Sequence, residues 1–175
     1  MKTTFDFLAD EIYLPGYMAL TNPDFGRGIG GYWATFDFNV REPPVVRGDQ
    51  FNYFTPRGLH LCASQAGIAM VEAMVRDGLL GDMDIPQFRG IVLGSRVKMV
   101  ELYQKFRREL GVERPIPGRL DVERLRLGGT PILRIGFDFG NKAVHGNFVS
   151  VIASHLVFVF PNGNLLSLTK LWTLK

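Results

Sequence analysis

The sequence predicts an α+β fold in which an antiparallel sheet wraps around one long central helix. Two observations lead to this prediction. Residues 55–77 read as a single helix that is apolar on nearly every side, which is typical of a helix enclosed by other structure. One strand precedes this helix, and several strands joined by tight turns follow it. A single sheet around a single helix buries the helix and one face of the sheet together.

The segment before the central helix carries a short helix and one strand. We expect a helix over Phe5–Ile12 and turns at Leu14–Tyr17 and Asn22–Asp24. Apolar and polar residues then alternate over Ile29–Val40, which predicts a strand with one buried face. A connection over Val45–Phe54 leads into the central helix.

The central helix has clear start and stop signals. Thr55 can accept a hydrogen bond as the N-cap, and Pro56 suits the first helical position because its missing N–H needs no partner there. Asp77–Gly78 is a glycine C-cap. Buried polar groups are costly unless paired. The four polar interruptions therefore each need a reason: His60, Ser64, Gln65 and Glu72.

After the helix the sequence predicts a loop over residues 79–90, a short helix near Ser95–Tyr103 and a strand over Lys105–Arg114. Four strands complete the chain: Arg119–Leu127 with one slip readable as a bulge, Ile132–Phe139, Ala143–Phe160 and Leu165–Leu174. Glycine-containing pairs predict the turns between them, Gly128–Gly129, Gly140–Asn141 and Asn162–Gly163.

The composition fits one domain, residues 1–175, with residues 1–28 as an N-terminal extension packed on it. Hydrophobic residues make up 46% and charged residues 21%, an ordinary globular balance. No apolar run is long enough to span a bilayer and no signal-peptide core is visible, so we expect a cytoplasmic protein without a membrane partner. Cys62 stands alone and the three histidines are widely spaced, so we expect no disulfide, no metal site and no cofactor.

Several short motifs resemble the acyl-thioester enzymes of the hotdog fold. Val112–Leu120, with its two prolines and its glycine, is similar to the step that precedes a central strand in that superfamily. More narrowly, the chain resembles the FcoT-type thioesterases of actinobacteria from about residue 30 onward. The matching features are Phe51–Phe54, Gly58–Gln65, Phe88–Gly90, Phe106–Pro115 and Gly146 in a long strand.

The resemblance implies a hotdog fold, a homodimer or higher homo-oligomer, and an acyl thioester of coenzyme A or acyl carrier protein as substrate. Some members of this family resemble dual-function enzymes that add glycine to an α,β-unsaturated acyl thioester and then hydrolyse the product. Fatty-acyl members carry Asn where this chain has Ser64 and an apolar residue where it has His60. These departures argue against plain fatty-acyl hydrolysis.

Basic residues concentrate between positions 96 and 126, although the net charge is only +3. Interspersed acidic residues favour a solvated strand face. The sharper alternative is a docking surface for an acidic partner, either the phosphates of coenzyme A or an acyl carrier protein. No nucleic-acid-binding motif accompanies the charge, so nucleic acid is not an expected partner.

Hydrolysis and conjugate addition both require a polarised thioester carbonyl. We expect the N–H groups near Gly58 and Leu59, at the start of the helix, to be free to receive the developing negative charge. His60 lies near that site and is the candidate acid/base. The alternative for His60 is a core histidine bonded to a backbone carbonyl.

The remaining candidate residues have open alternatives. Tyr53 donates to the substrate or is a wall aromatic, and Ser64 orients His60 or a water or bonds back to the backbone. Gln65 contributes to substrate binding or, as the favoured interpretation, bridges to the sheet. A cation for the glycine carboxylate is offered by Arg57, which is nearest in sequence, or by Arg47 or Arg41.

Three further titratable residues are left outside the chemistry. Glu72 lies about 18 Å along the helix from His60 and cannot orient it within one subunit. His145 and His155 read as structural. The sequence thus predicts an enzyme that adds glycine and hydrolyses the thioester. The alternatives are a plain thioesterase, in which His60 and Ser64 position water, and a non-catalytic acyl-binding module.

Overall fold

One antiparallel sheet forms the frame of the molecule. The computed structural model describes residues 3–28, 31–40, 54–80, 82–94, 97–127, 130–152, 158–159 and 165–166. Within these ranges six strands form the sheet in the order β1-β2-β4-β5-β6-β3. The strands are β1 (Leu20–Gly28), β2 (Gly31–Phe38), β3 (Val97–Phe106), β4 (Ile116–Leu127), β5 (Thr130–Phe139) and β6 (Val144–Ile152). A separate pair consists of β7 (Phe158–Val159) and β8 (Leu165–Leu166).

Three helical segments accompany this sheet, and the central helix packs directly against β1 and β2. The first, α1, covers Thr4–Phe7 and continues into a π-helical turn over Leu8–Ile12, which confirms the predicted short helix. The central helix α2 covers Pro56–Arg76, and α3 covers Ile85–Leu93. The predicted α+β arrangement of an antiparallel sheet around one long helix is therefore present.

The core lies between α2 and the inner face of the sheet. On β2 the predicted alternation holds, because four alternate side chains are buried: Tyr32, Ala34, Phe36 and Phe38. Small residues on α2 let the helix approach closely, and a Cβ added at Gly67 would lie 3.1 Å from Phe148 of β6. This close approach buries most of α2 and leaves only a limited part of it accessible.

The two ends of α2 follow the predicted local chemistry. The Thr55 side chain caps the helix by accepting from the N–H of Gly58, and Pro56 occupies the first turn. Gly78, with φ of +67°, follows the C-cap Asp77. In the described ranges α2 is the one helix long and apolar enough to span a membrane, but 78% of its most apolar window is buried, as in a core helix.

The strand connections agree with the predicted turns where they are described. Leu127 pairs with Thr130, which leaves two residues, Gly128 and Gly129, between β4 and β5. Gly140 and Asn141 have φ of +62° and +54° and reverse the chain into β6. Phe158 pairs with Leu166 on either side of Asn162–Gly163. Gly128–Gly129, Asn162–Gly163 and the rest of the last two predicted strands lie outside the described residues.

The segment from 79 to 114 differs from the prediction. Residues 79–90 are not a continuous loop, because α3 begins at Ile85 behind a capping box formed by Asp84 and Gln87. The predicted helix near Ser95–Tyr103 and strand over Lys105–Arg114 are wrong, since β3 occupies 97–106. Pairing with β6 along its whole length outweighs the local helical spacing.

Three smaller predictions also need correction. Asn22–Asp24 is not a turn but a bulge within β1, where the register with β2 shifts. The slip predicted in β4 is not a bulge, because its pairing with β5 runs without a shift from Gly118 to Leu127. The stretch predicted as an extension, residues 1–28, contributes β1 to the sheet itself.

Candidate functional site

The candidate site is the accessible face of the N-terminal half of α2. Arg57 and His60 are exposed, whereas Leu61, Ser64 and Ile68 are half-buried. Spacings of three and four residues place these five side chains on one side of the helix. The neighbouring positions are buried against the sheet and the N-terminal segment. The helix thus has one accessible stripe, which contains both polar and apolar side chains and begins next to the helix N-terminus.

His60 and Ser64 are available on this face. Neither side chain makes a hydrogen bond with any residue that the structure describes. His60 is exposed, so it is not a core histidine satisfied by a carbonyl, and Ser64 does not bond back to its own helix. Ser64 follows His60 by one turn, which lets both contact the same small molecule.

The N–H groups at the start of α2 are more engaged than the sequence suggested. The N–H of Gly58 donates to Thr55 Oγ1 at 3.2 Å, and the N–H of Leu59 donates to the Thr55 carbonyl at 2.9 Å. The prediction that both groups are free is therefore wrong for this conformation. Pro56 has no N–H, and the N–H of Arg57 has no acceptor among the described residues. The backbone N–H of Arg57 is therefore the donor in the first turn of α2 that a ligand can use.

Gln65 is a structural bridge rather than part of the accessible face. It is fully buried, its Nε2 donates to the Tyr17 carbonyl at 2.7 Å, and its Oε1 accepts from the Ala19 N–H at 3.0 Å. The predicted bridge therefore exists, but it holds the segment that leads into β1 rather than the sheet core. The Gln65 amide fixes that segment along the side of α2.

Glu72 is buried at the centre of an ion-pair network. Arg89 donates to both of its oxygens, at 3.0 Å from Nε and 2.9 Å from Nη2, and Thr4 Oγ1 donates at 2.6 Å. This bonding to Glu72 raises the pKa of the Arg89 guanidinium, although burial opposes the shift. Arg89 also lies over the Phe7 ring, 4.7 Å from its centroid. The network joins α1, α2 and α3, and it accounts for the buried carboxylate without any catalytic role.

The other predicted candidates fall outside this face or outside the described residues. Tyr53, Arg41, Arg47 and His155 lie outside the described residues. His145 is half-buried on β6, on the face of the sheet turned away from α2. Its cross-strand partner is Asp138, a carboxylate that the sequence interpretation did not place beside it. The two residues flank the Gly140–Asn141 turn, so hairpin pairing across that turn was the available signal.

No three His, Cys, Asp or Glu residues of the described ranges come together as a metal site. Cys62 is buried in α2 and belongs to the core, as expected. The polar groups of the accessible face are therefore an imidazole, a hydroxyl, a guanidinium and one backbone N–H. Such a set can transfer protons and stabilise negative charge.

No protein-family model matches this chain, and no curated protein matches it. Among solved structures, the chain is similar to the HP0420 homologue from Helicobacter felis, with a TM-score of 0.50, 11% identity, and coverage of 89% of this chain and 92% of that chain. A variant of that protein with one cysteine replaced by alanine is similar with a TM-score of 0.50 and 11% identity, over 88% of this chain and 89% of that chain. With the strand order and the enclosed helix described above, these similarities decide the architecture. The chain has the hotdog fold.

A thioesterase superfamily protein from Shewanella loihica is similar at a TM-score of 0.45 and 8% identity, over 81% of this chain and 96% of that chain. At such identities the similarity concerns the fold alone. None of these structures singles out the FcoT-type thioesterases, so the narrower resemblance stays a prediction.

Proposed function

We propose that the protein is an enzyme acting on acyl thioesters of coenzyme A or acyl carrier protein. One observation carries the proposal. On a central helix whose other faces are buried, His60 and Ser64 are accessible and have no partner in the described part of the chain, one to two turns from the helix N-terminus. The hotdog fold and the sequence resemblance support the choice of a thioester as substrate.

In this proposal the thioester carbonyl oxygen binds at the start of α2. The oxygen becomes negative as a nucleophile attacks, and the helix dipole favours negative charge at this end. The N–H of Arg57 is the first donor. The N–H of Gly58 joins it when its 3.2 Å bond to Thr55 Oγ1 gives way. Gly58 and Leu59 then form the buried wall behind the carbonyl.

The finer proposal is conjugate addition of glycine to an α,β-unsaturated thioester. The glycine nitrogen forms a bond to the β-carbon while the double-bond electrons move to the thioester oxygen as an enolate. His60 takes the proton released from nitrogen, and the α-carbon is protonated as the enolate collapses. The exposed Arg57 guanidinium, three residues from His60, pairs with the glycine carboxylate. Tyr53 remains a proposed donor to the same carbonyl or carboxylate.

Hydrolysis then uses the same groups. His60, with Ser64 holding the water, removes a proton as the water oxygen attacks the carbonyl carbon. The carbon–sulfur bond breaks, the thiolate takes up a proton, and the free acid leaves. A plain thioesterase performs this step alone. A non-catalytic acyl-binding module performs neither step.

We also propose that two copies pair to form a homodimer through β3. This strand lies at an edge of the sheet, and its Tyr103 and Phe106 side chains are 54% and 38% exposed. An exposed edge strand carrying aromatic side chains is suited to pairing with a second chain. Sedimentation velocity distinguishes the dimer from a monomer.

The function is tested by incubating the protein with crotonyl-coenzyme A, with and without glycine, and identifying the products by mass spectrometry. An N-carboxymethyl-3-aminobutyrate product that requires glycine supports addition followed by hydrolysis. Free crotonate in both incubations supports the plain thioesterase. Unchanged thioester, with binding of the acyl chain detected by calorimetry, supports the binding module and contradicts catalysis.

A further inference from the structure

An open groove of about 470 Å³ lies on the outer face of the sheet, away from α2. Its lining includes Asn22, Asp37, Pro117, Asp138, Asn141 and Lys142. Asp37 alternates with the buried Phe36 and Phe38, and Asp138 alternates with the buried Phe137 and Phe139. Both carboxylates therefore point to the side of the sheet opposite the proposed acyl-thioester site. The proposed function leaves this groove unused.

The backbone around the groove is unusual. Within the described ranges, three residues other than glycine have a positive φ: Asn22 at 49°, Asn141 at 54° and Lys142 at 66°. All three line the groove, although Asn22 comes from the β1 bulge and the other two from the turn between β5 and β6. Such conformations are unfavourable for residues with a side chain and concentrate at binding sites. A bulge within β1 and the turn between β5 and β6 thus bring residues of the same left-handed conformation to one place.

The groove is lined by both hydrogen-bond acceptors and hydrogen-bond donors. Asp37 Oδ2 accepts from Asn22 Nδ2 at 2.9 Å, and Asp138 Oδ1 accepts from the Lys142 N–H at 2.6 Å. The second oxygen of each carboxylate has no partner among the described residues. Asn141 and Lys142 also line the groove, and their side chains carry donor groups, an amide and an ammonium. The carboxylates can accept hydrogen bonds from a ligand, and the amide and ammonium groups can donate hydrogen bonds to it.

The charges argue against an ionic ligand. Two carboxylates repel an anion, whereas the Lys142 ammonium and the guanidinium of Arg119, which also lines the groove opposite Asp138, repel a polyamine. Arg119 is already paired with Asp121 at 2.7 and 2.9 Å and lies over the Trp33 ring. The exposed ring of Pro117 lies between Asp37 and the β5–β6 turn and gives the groove an apolar floor. A neutral ring that carries several hydroxyl groups matches both features.

We propose that this groove binds a neutral saccharide. The Asp37 and Asp138 carboxylates accept hydrogen bonds from its hydroxyl groups, Asn141 and Lys142 donate to its oxygens, and the Pro117 ring packs against its carbon face. The volume of the groove falls within the roughly 300–1,000 Å³ that is usual for small-molecule sites. This site is independent of the acyl-thioester proposal and does not share a residue with it.

The test is a titration of the ¹⁵N-labelled full-length protein with glucose, galactose, mannose, N-acetylglucosamine and ribose, one at a time. We expect at least one sugar to shift the side-chain amide signals of Asn22 and Asn141 together in a saturable way. The double variant Asp37→Asn and Asp138→Asn keeps the shape of both side chains but changes their acceptors, and it should weaken binding about tenfold or more. Asp24→Asn, on β1 outside the groove lining, is the matched control and should bind as the parent does.

Putrescine and inorganic phosphate are the charged probes of the same titration. The proposal is overturned if no sugar shifts the two amide signals, or if only putrescine or phosphate does. It is also overturned if the double variant binds the sugar as tightly as the Asp24→Asn control. Amide spectra of both variants that overlay on the parent outside the groove show that the fold is retained.

Discussion

Both halves of α2 carry polar side chains, but these are buried and hydrogen-bonded in one half, whereas in the other they are accessible and unbonded to any residue that the structure describes. In the C-terminal half, the carboxylate of Glu72 is buried and bonded to Thr4, Arg89 and Arg76. In the N-terminal half, His60 and Ser64 are accessible and have no partner within the described ranges. A polar group that the fold has already satisfied contributes to stability, whereas an unsatisfied accessible one is available to a ligand. The difference predicts which substitutions change stability and which change activity.

Glu72→Ala should give the largest loss of stability. Removing the carboxylate takes from the largely buried Arg89 guanidinium the two hydrogen bonds that it makes to Glu72, and breaking a buried pair in this way costs about 3–5 kcal/mol. Urea unfolding followed by circular dichroism measures the change. Arg76→Ala is the matched control, because Arg76 is 52% exposed and its 3.5 Å contact with Glu72 should contribute at most about 1 kcal/mol. Equal losses for the two variants would contradict the assignment of Arg89 as the principal partner.

Gln65→Ala should come next, with a loss of about 2 kcal/mol, because the Tyr17 carbonyl and the Ala19 N–H lose their partners. The adjacent Ser64→Ala is a sharp control. Ser64 has no bond to break in the described structure, and alanine is the better helix former, so its free energy of unfolding should stay within about 0.5 kcal/mol. The comparison fails if Ser64→Ala is as destabilising as Gln65→Ala in the same urea titration.

The local chemistry of α2 is what made its boundaries predictable. Thr55, Pro56 and Gly78 act through atoms within a few residues of their own position, so their effect can be read without knowing the rest of the fold. Strand β3 is the opposite case. Its apolar spacing is compatible with a helix, and its partner residues in β6 lie 38 positions (Phe106 to Val144) to 55 positions (Val97 to Ile152) further along the chain. Only the completed sheet decides between the two structures.

The same difference between local and long-range interactions explains which features of the candidate site can be predicted from the sequence. The prediction of Thr55 as an N-cap already implied that an N–H near the helix start is taken, and Gly58 is the residue that provides it. Arg89 cannot be paired with Glu72 from the sequence, because the sequence predicts a loop over the segment that contains it. The Asp84–Gln87 capping box lies in that segment, but the glycine and proline residues around it favour a loop.

Thr55→Ala should destabilise the protein by about 1 kcal/mol, as is usual when an N-cap side chain is lost. The same change releases the N–H of Gly58 at the proposed oxyanion site. Turnover of the thioester should therefore be retained at temperatures well below unfolding. A variant that stays folded by circular dichroism but loses turnover would show that the Thr55 hydroxyl itself contacts the substrate.

His60→Ala should change stability least and activity most. The side chain is exposed and unbonded in the described structure, so the free energy of unfolding should move by no more than about 0.5 kcal/mol. Loss of the acid/base should lower kcat about 10²–10⁴-fold, measured by release of the free thiol. Added imidazole should restore part of that loss, which a purely structural histidine would not allow. His145→Ala is the control, because His145 lies on the other face of the sheet and its replacement should leave kcat unchanged. An unchanged kcat in His60→Ala would remove the accessible half of α2 from the chemistry and leave its exposed face as a binding surface only.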